Sequence, residues 1–357
     1  MIALRFPMLS IKCVFVLALV FLLTSCDPFS QPESMMDEYL VRLARVLEQD
    51  LPAPAAPVLT KLPDKKERTL SIPEIDVNML EFLSFYGCEL QVVVAERNSI
   101  LGRVMLPINR LRYEVRFIES AKQCLATTDD KKTTHILQQA IAKKSAVLPA
   151  VFWNAIWSTE EIEQLMTYSK GYLPVDANSI NTIRTGLQAL VDIKKQIDNK
   201  KFDINLDHLG TIQQQWLYSH VAGKLLKSAQ LLTLRLNEAT RIIDKRLIQK
   251  PLCYKQRVTP QAEILRSFFF NIYIAKVQPY LASVSQQGES IFPLLDKLAV
   301  LQGESKASDE FQHYQRTYLD TQSSSGIWQK LQTAIQLHTK SWQHLLKQCG
   351  MQPGVNS

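Results

Sequence analysis

The sequence lacks the short motifs that identify many enzymes. It contains no glycine-rich phosphate-binding loop, no Gly-x-Ser-x-Gly segment and no His-Glu-x-x-His segment. These motifs position phosphate groups, a serine nucleophile and zinc ligands, respectively. Nucleophilic hydrolysis therefore has no local support in the sequence.

Clusters of metal ligands are also absent from the sequence. No histidine stands four residues from another or near a cysteine, and no two cysteines have the close spacing of a zinc site. We therefore predict no metal site and no cofactor. His338 and His344 are interpreted as surface residues, and His220 as a residue on the flank of a long helix.

Charge of one sign does not dominate the chain. The net charge of the 357 residues is +7, and it falls to about +5 when Arg5 and Lys12 are removed with the N-terminal segment described next. The excess of positive charge is small and dispersed, which argues against nucleic acid as a partner. A mild basic excess suits anionic lipid headgroups.

The N-terminal segment has the order of a secretory signal. Two basic residues precede an apolar run over 13–23, and small residues precede Cys26. The run is shorter than the roughly 20 apolar residues of a membrane-spanning helix, and the pattern resembles a bacterial lipobox. We predict a signal peptide over 1–25, acylation of Cys26, and a lipid-anchored protein that faces the periplasm. Asp27 favours the inner membrane, with the outer membrane as the alternative.

Four cysteines remain when the cysteine of the signal and the lipidated cysteine are set aside. Cysteines in an exported chain usually form disulfides, and four of them allow three pairings. We favour Cys88 with Cys124 and Cys253 with Cys349, because neighbours in the chain meet most often. On the chain-entropy model each bond stabilises the fold by about 3–5 kcal/mol.

Two segments are predicted between the lipid site and the main domain. Ser34 can cap a short helix that docks on the body or on the membrane, and the repeated prolines of residues 50–73 indicate an extended spacer. Fully extended, this spacer would reach about 70 Å. The predicted boundaries are a tether over 26–73, a helical domain over 74–350 and a disordered tail over 351–357.

Nearly every segment of the main domain shows helical periodicity. Apolar residues step by threes and fours from Leu206 to Leu247, and a second pattern starts at Thr259 and meets Pro279, which should kink or break it. The run Val92-Val93-Val94 is assigned to a helix because no alternating strand lies nearby. We predict an all-α fold, an elongated helical bundle with a long central helical hairpin.

The densest group of polar residues lies in residues 87–124. If 89–98 and 108–124 form two helices, a disulfide between Cys88 and Cys124 would bring carboxylates and guanidinium groups face to face. One interpretation is a cleft that recognises phosphate or carboxylate. The other is an ion-pair lattice between two structural helices. The predicted binding-surface residues are Glu89, Glu96, Arg97, Arg103, Arg110 and Arg112.

Three functions are compatible with these features. We prefer non-enzymatic binding or scaffolding of an envelope protein partner, because an anchor and a helical body occur without a catalytic motif. The first alternative is an envelope hydrolase or lytic enzyme that acts through Glu89 or Glu96. The second is a carrier that holds an apolar ligand inside the bundle.

Several short blocks carry a resemblance to a known family. They are "GCELQ", "AERNSILGRVM", "RLRYE", "PLC", "TPQAEILR" and "VQPYLA". Together they resemble an uncharacterised family of proteobacterial lipoproteins of unknown function, and the similarity covers most of the mature chain. Cys88 and Cys253 lie where the cysteines of that family are expected. The resemblance implies a lipoprotein and supplies no catalytic residue.

Overall fold

The computed structural model describes residues 31–51, 53–73, 87–99, 102, 104–176, 180–301 and 306–351. Every regular element in these ranges is helical, and none is a β-strand, which confirms the predicted all-α class. The predicted signal peptide, Cys26 and most of the predicted tail lie outside the described residues.

The helices are numbered in chain order. They are α1 (Gln31–Val46), α2 (Lys65–Arg68), α3 (Glu89–Asn98), α4 (Pro107–Thr127), α5 (Lys131–Trp157), α6 (Glu160–Met166), α7 (Asn181–Asp198), α8 (Leu209–Ser219), α9 (Val221–Gln249), α10 (Pro260–Phe268), α11 (Gln278–Ala299), α12 (Asp309–Tyr314) and α13 (Ile327–Lys347). Two π-helical segments, Phe269–Val277 and Gln315–Leu319, follow α10 and α12 directly.

Helix α9 lies at the centre of the bundle and contacts α1, α11 and α13. Hydrogen bonds join Thr240 to His338 and Leu252 to Gln348, so α9 and α13 run in the same direction. The apolar stripe predicted along this segment is buried, from Val221 to Ile243. Burial of such a stripe against neighbouring helices is what stabilises each helix in a bundle.

The long helix predicted from Leu206 to Leu247 is interrupted at His220. That residue has φ = 49°, a left-handed conformation that ends α8 and precedes α9. Its ring contacts the carbonyl of Gln164 through Nδ1 at 2.8 Å. Gly223 lies so close to the carbonyl of Thr167 that a side chain there would collide with it. The break is therefore fixed by packing against α6, and His220 is the junction between two helices rather than a flank residue of one.

The predicted effect of Pro279 is seen as a π-helical segment. Proline cannot donate a backbone hydrogen bond, so the helical ladder must change near it. The amide of Gln278 donates to the carbonyl of Tyr273, five residues earlier, and α11 continues from Gln278 to Ala299. The Thr259 side chain caps α10 by accepting a hydrogen bond from the amide of Ala262. The helix that starts there changes its hydrogen-bond pattern near Pro279 and is not broken.

The segment assigned to a tether packs on the helical body. Helix α1 already includes Gln31, so Ser34 lies inside the helix and is not its cap; the buried apolar residues of α1 include Tyr39 and Leu43. Farther along, the amide of Thr60 donates to the hydroxyl of Tyr318, and Leu70 exchanges two hydrogen bonds with the Asn154 side chain. Residues 53–73 therefore follow the surface of the body instead of extending away from it.

The described residues form two hydrophobic cores. The main core joins α1, α4 to α13 and both π-helical segments. A smaller second core lies between α3, α4 and the start of α5, and its buried residues are Leu90, Val93, Val94, Tyr113, Phe117, Ala121, Cys124 and Leu137. Both predicted disulfides are present, Cys88–Cys124 beside the second core and Cys253–Cys349 at the end of α13.

Candidate functional site

The candidate site is the hairpin of α3 and α4, which carries most of the predicted binding-surface residues. The two helices form where the sequence predicts them, and Cys88–Cys124 links the start of α3 to the last turns of α4. The valines of α3 fill the second core with one face, while Val92 remains exposed. This packing fixes the position of the charged side chains on the outer faces of both helices.

Glu89 and Glu96 share one partner, Arg116 of α4. The Nη2 and Nη1 atoms of Arg116 each lie 2.7 Å from a carboxylate oxygen of Glu89 and Glu96, respectively. Hydrogen bonding to Glu89, reinforced by Glu96, raises the pKa of Arg116 against a smaller opposing effect of burial. All three side chains are about half-exposed. The predicted face-to-face arrangement is present, with Arg116 as its centre, although Arg116 is not among the predicted site residues.

Arg97 and Arg110 do not join the exposed group. Arg97 donates to the carbonyl of Gly102 and its guanidinium lies 6.0 Å from the Tyr113 ring centre. Arg110 pairs with Glu114 one turn later on α4, and its guanidinium is 5.9 Å from the same ring. Both arginines therefore pack against the Tyr113 ring of the second core.

A buried ion pair lies beneath the exposed one. The Glu114 side chain is fully buried, and the Lys144 side chain on α5 is 2% exposed, with Nζ 3.0 Å from Oε2 of Glu114. Lys144 also lies 5.0 Å from the centre of the Phe117 ring. Burial lowers the pKa of Lys144, the Glu114 charge opposes this effect, and Arg110 adds to the lowering. No sequence pattern singles out Lys144, because it belongs to a different helix with ordinary polar neighbours.

Arg112 faces an open groove between α4 and the segment that precedes α8. Its Nη1 donates to Oδ1 of Asn109 at 3.1 Å. The groove has a volume of about 560 Å³, and it is lined by Glu89, Arg112, Val115, Arg116, Glu119, Ser120, Gln123 and residues 202–207. Arg103, the remaining predicted residue, lies outside the described residues.

The charges of the groove lining favour a cationic partner over an anionic one. Four carboxylates, of Glu89, Glu119, Asp203 and Asp207, accompany two guanidinium groups. One of these, Arg116, is already paired with two carboxylates. Asp203 and Asp207 are exposed and have no ion pair with any residue that the structure describes. The guanidinium groups that could bind a phosphate or carboxylate thus have partners within the protein: Arg112 donates to Asn109, and Arg116 pairs with Glu89 and Glu96.

Histidine 338 lies inside the main core, which corrects its predicted surface position. Its Nε2 is 2.7 Å from the Tyr39 hydroxyl and 3.1 Å from Nε1 of Trp342, and its Nδ1 is 3.3 Å from the Thr240 hydroxyl. Burial lowers the pKa of His338 to about 3. The side chain is therefore neutral at physiological pH, and it belongs to a closed hydrogen-bond network. His344 is exposed, as predicted.

Within the described ranges, no group of three or more histidine, cysteine, aspartate or glutamate side chains is placed to hold a metal ion. Among the helices of those ranges, none combines the length and apolar character needed to cross a membrane. The features of the candidate site that bear on function are therefore its charges and its groove.

Comparison with known protein families identifies a matching family. The model of a family described as "Protein of unknown function (DUF3080)" matches residues 36–353. The match begins within α1 and so includes the segment that follows it and packs on the body. No curated protein and no solved structure matches the chain.

Proposed function

The chain belongs to the DUF3080 family of proteins of unknown function, and we propose that it is a lipid-anchored protein of the cell envelope that binds a protein partner through the groove beside Arg116. Binding is non-enzymatic in this proposal. The groove lining is the observation that carries it: an open depression of about 560 Å³ with a surplus of carboxylates.

The anchor part of the proposal rests on the N-terminal sequence and on the position of α1. The signal pattern over 1–25 places Cys26 at the point of acylation, and at least two acyl chains make a stable anchor. Helix α1 is held in the main core from Pro32 onward. Only five peptide units separate Cys26 from Gln31, so this connection spans at most about 18 Å. The lipid would therefore hold the body close to the periplasmic face of the membrane. The residue after the lipid site, Asp27, favours the inner membrane.

The anchor can be tested with Cys26→Ser. We expect the wild-type chain to incorporate an alkyne analogue of palmitate in intact cells and to remain with the membrane fraction after a high-salt wash. Cys26→Ser should lose the label and leave that fraction. A labelled Cys26→Ser protein would contradict acylation at this position.

The partner part of the proposal follows from charge complementarity. Asp203 and Asp207 are exposed without an ion pair in the described part of the chain, and Glu119 lies on the facing helix. A partner segment that carries lysine or arginine would neutralise these carboxylates, and opposite charges across an interface favour association and select the partner. The Cys88–Cys124 disulfide keeps one wall of the groove rigid, which reduces the ordering cost of binding.

Site-specific crosslinking tests this groove. A photoreactive residue at Gln123, which lines the groove, should capture one discrete envelope protein in intact cells, whereas the same residue at the exposed Gln336 of α13 should not. The charge reversals Asp203→Lys and Asp207→Lys should abolish the Gln123 crosslink. The matched reversals Glu289→Lys and Glu310→Lys, at exposed carboxylates elsewhere, should leave it unchanged. Equal crosslinking from Gln123 and Gln336, or no effect of the groove reversals, would overturn the proposal.

The two alternative functions receive less support. A hydrolase that uses Glu89 or Glu96 as an acid needs a carboxyl in a sheltered site, whereas these two are half-exposed and both are paired with Arg116. A carrier of an apolar ligand needs a largely apolar cavity. The groove and a second depression of about 400 Å³ near Arg68 both have charged side chains in their walls.

A further inference from the structure

The end of α9 and the loop that leads to α10 combine exposed apolar and basic side chains. We call residues 248–258 the basic turn. Ile248, in the last turn of α9, is 85% exposed, and on the loop Tyr254 is 72% and Val258 47% exposed. A group of exposed apolar side chains rimmed by polar residues marks a surface that contacts a partner or a membrane.

The basic turn is held in a fixed shape. Cys253 is bonded to Cys349, and the amide of Leu252 donates to the Gln348 side chain at 2.9 Å. At the tip, Lys255 and Gln256 both have left-handed conformations, with φ of 49° and 59°. This conformation is uncommon for non-glycine residues and persists where the surrounding structure supports it. Tyr254 and its neighbours are thus presented to solvent by a rigid support.

The charge of the basic turn is uncompensated. Lys250, Lys255 and Arg257 have no ion pair among the residues that the structure describes, and no acidic residue occurs between positions 245 and 262. Glu48 and Asp50, which follow α1, face other cations. Oε2 of Glu48 lies 3.8 Å from Nη1 of Arg246, and Oδ2 of Asp50 lies 3.8 Å from Nζ of Lys245. Lys347, at the end of α13 beside the disulfide, adds another cation that has no ion pair in the described ranges.

We propose that the basic turn binds the anionic headgroups of a lipid surface, with Ile248, Tyr254 and Val258 entering the interfacial layer. Lysine and arginine are attracted to anionic lipids, and tyrosine prefers the boundary between headgroups and acyl chains. Insertion of these apolar side chains would add hydrophobic binding to the charge attraction. The three side chains are too few for the core of a stable protein interface, which covers about 800 Å² on each partner.

This contact is separate from the groove and does not require acylation of Cys26. It can therefore be measured on the non-acylated chain that begins at residue 27, which contains every residue that the structure describes. We would measure its co-sedimentation with vesicles of phosphatidylglycerol and phosphatidylcholine, and with vesicles of phosphatidylcholine alone. Binding should require phosphatidylglycerol and should weaken as salt is raised, because salt screens charge attraction.

Matched variants separate the basic turn from general surface charge. Each cation near an anionic surface strengthens binding about fivefold, so Lys255→Ala with Arg257→Ala should weaken vesicle binding by about 25-fold. Lys200→Ala with Lys201→Ala removes the same charge from another exposed loop and should have little effect. Tyr254→Ala should weaken binding, whereas Tyr218→Ala, at a tyrosine that is 74% exposed, should not.

Three results would overturn the proposal: no preference for phosphatidylglycerol, equal losses in the turn variants and their controls, or capture of an acidic protein without any vesicle binding. Thermal melting of each variant verifies that it is folded. Lys250→Ala with Lys347→Ala serves as a second test pair, outside the left-handed tip, and should also weaken vesicle binding.

Discussion

The two hydrophobic cores of this protein bury polar groups in different ways. In the main core, His338, Tyr39 and Trp342 form a neutral network, with the Trp342 indole donating to the Tyr39 hydroxyl at 3.0 Å. In the second core, the charged pair Glu114 and Lys144 is buried among aromatic rings, with Arg110 at its edge.

The difference lies in where the charged partners are placed. The buried guanidinium groups beside the main core, of Arg68 and Arg235, pair with carboxylates that reach solvent, Glu163 (44% exposed) and Asp37 (37% exposed). The deeper His338 group is neutral and hydrogen-bonded, which keeps the cost of its burial moderate.

The second core is small and close to the surface, and Arg110 remains 18% exposed. A partly solvated cation lowers the cost of burying Glu114 and Lys144 beside it. The main core should therefore be sensitive to acid, and the second core to the loss of one charge.

The largest expected effect comes from removing the disulfides. Cys253–Cys349 encloses 96 residues and Cys88–Cys124 encloses 36, so replacing each pair with alanine should cost about 5 and about 4 kcal/mol, respectively. Loss of Cys88–Cys124 should increase amide hydrogen exchange mainly in α3 and α4, because the second core is a separate cluster. Equal loss of protection in both cores would show that they unfold as one unit.

Removing the buried carboxylate should have the next largest effect. Glu114→Gln leaves Lys144 buried without its counter-charge, which should destabilise the protein by about 3–5 kcal/mol in denaturant unfolding. The control is Glu89→Gln, at an exposed ion pair, which should cost less than about 1 kcal/mol. Similar values for the two variants would contradict the distinction between buried and exposed pairs on α3 and α4.

Acid should destabilise the main core through His338. Its pKa is lowered to about 3 in the folded protein, so below about pH 6.5 the unfolded chain binds a proton that the folded chain does not. The stability that is present above pH 6.5 should then fall by about 1.4 kcal/mol per pH unit down to about pH 3. His338→Gln should reduce this slope, whereas His344→Gln, at an exposed histidine, should not. An unchanged slope in His338→Gln would contradict burial of a neutral imidazole.

The smallest expected effect is that of the exposed group. Arg116→Ala removes both ion pairs of Glu89 and Glu96, and it should lower stability by no more than about 1 kcal/mol, less at high salt. Chemical unfolding at two salt concentrations would measure this. A loss above about 2 kcal/mol would indicate that Arg116 supports the second core and does not act only at the surface.

Local sequence patterns were sufficient for much of the helical structure. Thr259 caps α10 as predicted, and Gly350 ends the C-terminal helix with φ = 66°. The interruption at His220 could not be predicted, because its immediate neighbours are compatible with a helix. Its cause is the close approach of Gly223 to Thr167, a contact between residues far apart in the chain.

The candidate site shows the same division. Helical spacing predicted that Glu89 and Glu96 lie on one face, since this depends only on residues of one helix. Their common partner, Arg116, comes from α4, and the buried pair needs Lys144 from α5. The spacing of residues within one helix does not predict which face of a second helix that helix contacts. The groove also needs residues 202–207, which lie far along the sequence.

The sequence by itself determined the all-α class, most helix positions and the cysteines that pair, because these depend on local periodicity, caps and chain proximity. The tertiary structure alone decided that residues 53–73 follow the body, that His338 is buried and that Glu114 meets Lys144. These outcomes depend on the free energy of bringing distant segments together, which no short pattern encodes.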